Sequence, residues 1–315
     1  MKTKSFIKLL PVVASLSIGS PLFGGPLDNS TGSYSNGFES ARRPITNPTL
    51  FDLALPRTQI HAIFMHHRFP NKINSEIGAI PLGGDLQLYA LQAEYALNDR
   101  FSIVALKDGY VDFNPDETFS SEEGFANVGA GVKYAFHVDP DNQTAASVTG
   151  MYEIPIGDDD VFQGEGDGNI NVTLNGLALV NNWQVAAAAG LQVPISDDFS
   201  TQGFLSGHLS YEVTPWFIPL VELNWFHVFN DGNGGTRYGS QAGGAVPAVA
   251  QFEGADLLNW GAANATDNEY VTLGLGFRSR LTPSLSIGFA YEIPLTDESD
   301  NITDDRFTLD LVWSF

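Results

Sequence analysis

The chain has 315 residues, no cysteine and a formal net charge of −22 at pH 7. That charge excludes a nucleic-acid partner, because neutralising phosphates requires a basic surface. Without disulfides an exported chain closes its fold by strand pairing and burial alone, and 32 glycines with 22 phenylalanines suit many closely spaced strands.

Residues 1–24 carry Lys2, Lys4 and Lys8 ahead of an apolar run from Leu9 to Phe23, with Gly24 and Gly25 as a cleavage point. This is a secretory signal, to be set aside from the fold. Residues 25–57 are rich in Pro, Gly, Ser and Asn and lack periodicity. They are expected to form an irregular periplasmic segment, with a lumen plug as the alternative. No later stretch has eighteen consecutive apolar residues, so no helical membrane span is expected.

From Thr58 to Phe315 the chain alternates in blocks near 58–69, 84–97, 100–113, 124–137, 143–156, 168–181, 183–195, 201–213, 216–229, 269–281, 284–296 and 305–315. The blocks exceed the usual soluble strand of about 5–6 residues and match the length needed to cross a bilayer at a tilt. Short connections such as Asn98-Asp99, Thr214-Pro215 and Thr282-Pro283 carry tight-turn residues. Those at 70–83, 114–123, 157–167, 230–268 and 297–304 are longer. Short turns on one rim, long loops on the other and an even strand count predict an all-β fold. It is a transmembrane antiparallel up-and-down barrel of twelve strands in the outer membrane, surrounded by its lipid.

The faces agree. Leu285, Ile287, Phe289, Tyr291, Ile293 and Leu295 share one parity, against Ser284, Ser286, Gly288, Ala290 and Glu292. Small and charged residues opposite large apolar ones fit a hydrated lumen inside a lipid-facing exterior. Tyr95, Phe101, Tyr134, Phe136, Trp183, Tyr211, Trp216 and Phe217 lie beside the short turns and predict one aromatic girdle; Tyr110, Phe113, Tyr152, Trp225, Phe229 and Tyr291 predict the other. Two blocks fit less well. In 58–69 neither face is clean, and 216–229 is apolar on both faces and contains Pro219, which a bulge or an inner loop would explain.

Inward parity places Glu94, Lys133, Glu153, Glu212, Glu222, Arg278, Arg280, Glu292, Arg306 and Asp310 in the lumen. They either set a transverse field across a pore or tie a narrow barrel together with salt bridges. Asp158, Asp159, Asp160, Glu165 and Asp167 crowd one glycine-rich outer loop. Hard cations take several oxygens from such loops, so a weak divalent-cation site is one reading and a solvated acidic loop the other. His208 lies between Ser206 and Ser210 on the inner parity, but spacing supplies no orienting partner, and no catalytic residue or enzyme activity is assigned. No phosphate loop or metal motif is present, so no cofactor is expected.

The stretches Y-A-L-N-D-R-F-S-I (95–103), Y-E-I-P-I-G-D (152–158), L-T-P-S-L-S-I-G-F-A-Y (281–291) and the terminal F-T-L-D-L-V-W-S-F resemble bacterial outer-membrane barrels. The similarity is to transporters of the "MetA-pathway of phenol degradation" type. It implies outer-membrane insertion and solute passage. It also implies that the terminal strand, with Trp313 and Phe315, is the signal read by the barrel-assembly machinery. The expected function is passive movement of small solutes, with loop 230–268 as the constriction. The alternatives are a structural or surface-interaction barrel without flux and an embedded lipid hydrolase.

Overall fold

A computed structural model describes residues 37–239 and 241–315, and the signal segment 1–24 lies outside the described residues. The barrel strands are β1 Gln59–Arg68, β2 Gly84–Ala96, β3 Phe101–Lys107 continued as Tyr110–Pro115, and β4 Glu122–Phe125 continued as Val128–Asp139. They go on with β5 Thr144–Ile154, β6 Asn169–Val180, β7 Trp183–Pro194, β8 Thr201–Tyr211, β9 Ile218–Asn230, β10 Glu269–Thr282, β11 Leu285–Pro294 and β12 Asp305–Ser314. Each pairs antiparallel with its sequence neighbours, and β12 returns to β1 from Ser314 opposite Gln59 to Asp305 opposite Arg68. The sheet is a closed twelve-stranded up-and-down barrel. Closure removes the free edge that an open sheet would expose.

Alternation decides which side chains meet lipid. Leu91, Leu174, Leu205, Leu223, Leu275 and Leu309 all stand exposed on the outer wall, Leu91 at 58% and Leu309 at 39%. A continuous apolar belt of this kind is unfavourable in water and matches a bilayer core. The aromatics beside the short turns are exposed as a girdle, from Phe101 stacked on Tyr134 to Trp183 against Tyr211.

The second girdle needs a correction at Phe113, which is buried on the inside. In the lower half of β3, Ser102, Val104 and Leu106 face inward; in the upper half, Val111 and Phe113 do. The interruption at Asp108-Gly109 changes the parity, with the register slipping between Ala105 and Lys107. Phe113 then joins Phe69, Phe119 and Phe162 under the outer loops. Pro219 causes no bulge. It lies beyond the end of the β8–β9 ladder, which starts at Leu220, so its missing N–H breaks no bond there. β1 is regular after all, with Gln59, His61, Ile63, Met65 and His67 all buried inside.

Candidate functional site: the filled lumen

Residues 37–57 do not trail into the periplasm. They enter from the short-turn rim, where Gln143 Nε2 donates to the Gly37 carbonyl at 2.9 Å, and turn back near Asn47 (φ 52°). They leave through Arg57, whose N–H donates to Glu94 Oε1 at 3.2 Å. The segment lacks strand periodicity because it makes no ladder. Among the described residues, its backbone hydrogen bonds to the wall all go to wall side chains. Glu222 on β9 accepts from Ile45 N at 3.0 Å, Thr46 N at 2.6 Å and Thr46 Oγ1 at 2.6 Å. Gln184 on β7 donates to the Arg42 carbonyl at 2.6 Å and accepts from Arg42 N at 2.7 Å.

Apolar packing complements these tethers. Phe38, Leu50, Phe51, Leu53 and Leu55 are fully buried against inward-facing Leu177, Leu179, Phe204 and Phe226. This contact explains why β9 is apolar on both faces: one face meets lipid and the other meets the plug. Burying five such side chains contributes on the order of 10 kcal/mol, which favours the filled lumen.

All ten charged residues assigned to the lumen line its interior, and each has a partner. Lys133 Nζ lies 2.5 Å from Asp52 of the plug and 2.9 Å from Glu94. Arg43 Nη1 holds the other Asp52 oxygen at 2.9 Å. Arg278 meets Asp310 at 2.6 Å, Arg306 meets Glu292 at 2.6 Å, Arg280 meets Glu212 at 2.6 Å, and Glu153 meets Lys107 at 2.6 Å. Separate rows of opposite charge are therefore not what the geometry provides. Opposite charges are matched pair by pair, mostly between strands with one other strand between them in the barrel, because desolvated charges are stable only when paired.

From the outer end, residues 231–239 and 241–268 between β9 and β10 fold inward. Phe252, Trp260, Ala262 and Ala265 pack with Phe69, Phe113 and Phe162 into one apolar cluster. Asp256 reaches down to Arg306 Nη1 at 2.9 Å. Leu257 and Leu258 line a cavity of about 40 Å³ shared with Pro48 and Thr49 of the plug. Cap and plug therefore meet at mid-lumen. Within the cap, burial pushes the Glu253 carboxyl up to about 7, against hydrogen bonds from Ser200, Trp260 and Ala262 that favour its charged form.

The acidic outer loop is not gathered into a cation site. Among the described residues no three carboxylate or imidazole groups converge. Asp158 Oδ2 instead accepts from Phe125 N at 2.6 Å, while Asp159 and Asp160 start a single 3-10 turn. Tyr152 Oη donates to the Asp167 backbone carbonyl. Burial, then Asp159 and Asp198, raises the Glu165 pKa.

His208 does have an acidic neighbour that spacing did not reveal. Its Nδ1 is 2.6 Å from Glu222 Oε1 and its Nε2 2.8 Å from Ser210 Oγ. The pairing register of β8 with β9 places His208 opposite Glu222. This array faces the plug. Ser210 Oγ accepts from Arg42 Nε at 3.1 Å, and all three side chains are buried, so the hydroxyl has no access to lipid.

The sequence reading missed the partners contributed by the plug and cap: Arg42, Arg43, Thr46, Asp52 and Asp256. One signal pointed to them. In a chain with only 15 Lys and Arg, three of the arginines, Arg42, Arg43 and Arg57, fall within this short aperiodic segment.

Fold and lumen together define an outer-membrane β-barrel whose interior is occupied by its own N-terminal segment and an outer loop. No family model and no curated protein matches the chain. Among solved structures it is similar to the COG4313 outer membrane channel from Pseudomonas putida F1, with a TM-score of 0.56 at 13% identity over 82% of this chain and 96% of that one. The NanC porin aligns with a TM-score of 0.49 at 8% identity, over 82% of this chain and 100% of the porin. The β domain of the Bordetella autotransporter BrkA aligns at 0.47 and 14% identity, over 82% and 100%. At such identities the likeness to the P. putida channel is one of fold.

Proposed function

We propose that this barrel is a gated passage for small polar solutes across the outer membrane, closed at rest by residues 37–57. The observation that carries the reading is how the plug is attached. Its backbone is tied to the wall through side chains, so it can move without breaking any rung of the barrel ladder. The fold shared with a channel from P. putida agrees with this reading. The strongest observation on the other side is the apolar contact of Phe51 and Leu53 with the wall, which favours a permanently closed barrel.

Refolded full-length protein in planar bilayers tests the proposal. Brief openings on a closed baseline are expected, because seating of the plug dominates. A complete absence of conductance and solute flux, with the protein shown to be inserted, would establish the structural barrel instead.

A further inference from the structure

The lumen wall is chemically divided. The charged side chains of β9 to β12 and β1 are engaged with one another, with the plug or with the cap. The inward face of β5 carries Ser147 and Thr149, followed by Met151 and Glu153, and that of β6 carries neutral polar groups at four successive positions, Asn169, Asn171, Thr173 and Asn175. Ladder pairing sets them side by side, with Asn175 opposite Ser147 and Thr173 opposite Thr149.

All six are at least nine-tenths buried. Five of them nevertheless hold unspent hydrogen-bonding capacity. Ser147 Oγ, Thr149 Oγ1, Asn169 Oδ1, Asn171 Oδ1 and both amide atoms of Asn175 have no hydrogen-bond partner among the described residues. Buried polar groups are ordinarily paired, and an unpaired cluster on one wall calls for a ligand or solvent that supplies the missing bonds. The plug's Thr49, Leu50 and Asp52 lie over Asn171, Thr173 and Asn175 across a cavity of about 10 Å³, so the same face opens when the plug tip moves.

We infer that the Ser147/Thr149/Asn169–Asn175 face of β5 and β6 is a binding track for neutral polyhydroxylated solutes of the sugar class, uncovered by displacement of the plug tip. This deepens the proposed passage and rests on it for the solute's entry. Alternate residues on a strand are about 6.7 Å apart, so four rungs on β6 extend about 20 Å, enough to meet several hydroxyls at once. Amide and hydroxyl side chains both donate and accept, as sugar hydroxyls do. Glu153 at the outer end is paired with Lys107, and Lys133, which lies opposite Thr149, keeps Glu94 of β2 as its partner when Asp52 leaves with the plug tip. An ionic solute would therefore find no free countercharge on this wall.

The test uses the full chain and the double variant Asn171→Leu/Asn175→Leu, each checked for barrel closure by heat-modifiable gel mobility. Thr149→Val serves as a second, milder variant. Maltotriose binding is measured in detergent micelles by equilibrium dialysis. Liposome swelling is measured with glucose and with the charged probes gluconate and glucosamine. Wild type should bind maltotriose and admit glucose faster than either charged probe. The double variant should lose binding and lower glucose flux about tenfold relative to the charged probes, with Thr149→Val in between. Unchanged binding and flux in the closed variants would overturn the track, as would equal loss for neutral and charged probes, or binding of water alone with no sugar retained. Maltotriose binding without flux of any solute would leave the track standing and remove the passage.

Discussion

Asp52→Asn is the sharpest perturbation of the plug. Asp52 is 2% exposed and joins the plug to the wall at Lys133, 2.5 Å away, while Arg43 of the plug itself holds its other oxygen at 2.9 Å. Asparagine keeps the shape and the bond to Leu53 N, which Asp52 Oδ1 accepts at 2.7 Å. It removes the charge, however, and leaves Arg43 with Gln92 Oε1 at 2.9 Å and Lys133 with Glu94 alone. Removing one member of a buried charge cluster costs about 3–5 kcal/mol, or roughly two to three and a half decades in an equilibrium at 1.4 kcal/mol per decade. That is less than the apolar seating of the plug, on the order of 10 kcal/mol, so the variant remains mostly closed. Its openings should become about a hundredfold more frequent or longer. Single-channel open probability and the rate of proteolytic cleavage within 37–57 should rise together. Open probability and cleavage both within twofold of wild type would refute the claim that Asp52 latches the plug.

Other outcomes follow from the same geometry. Asp256→Asn removes the cap's contact with Arg306, which keeps Glu292 at 2.6 Å. A cost of about 1–3 kcal/mol should appear as faster proteolysis within 231–268, with heat-modifiable mobility of the barrel unchanged. Glu253 has a folded pKa raised to about 7, above its ordinary value of 4.5. Its contribution is full below the ordinary value and is lost as pH rises through 7, so hydrogen exchange in the cap should accelerate between pH 5 and 9. Glu253→Gln should flatten that profile. Phe315 closes the seam, donating its N–H to Thr58 O at 3.0 Å and resting on Trp313. We propose that it also carries the assembly signal: deleting it should cut insertion several-fold in cells, whereas normal insertion would remove that role.

The barrel was legible because the lipid-facing side obeys one rule, period-two alternation, over most of each strand. β12 shows it cleanly, with Leu309, Leu311 and Trp313 outward and Thr308, Asp310 and Val312 inward. Val312, an exception to polar parity, meets the interior at the short-turn rim. Legibility failed where the interior is built from distant segments. Leu177 and Leu179 face inward yet are apolar because the plug covers them, and no local pattern announces that cover. The lumen charges follow the parity of their strands, but their pairing depends on shear and on residues far away in sequence, such as Asp52 beside Lys133. Asp108-Gly109 inverted the face of Phe113 because a single added residue shifts a period of two. The acidic residues of 157–168 share composition with cation loops but not convergence, since the Asp158 carboxylate is held by the Phe125 N–H.

The central claim is that residues 37–57 gate the passage, and an engineered cross-link tests it most directly. A Cβ placed on Gly274 lies 2.6 Å from Thr46 Cγ2, so Thr46→Cys with Gly274→Cys brings two thiols to the separation a disulfide needs, about 3.5–4.5 Å between Cβ atoms. The chain has no other cysteine to interfere. In planar bilayers the oxidised double variant should be silent, and reduction should restore openings like those of wild type. Openings of equal frequency in the oxidised and reduced protein would contradict a gating role for the plug.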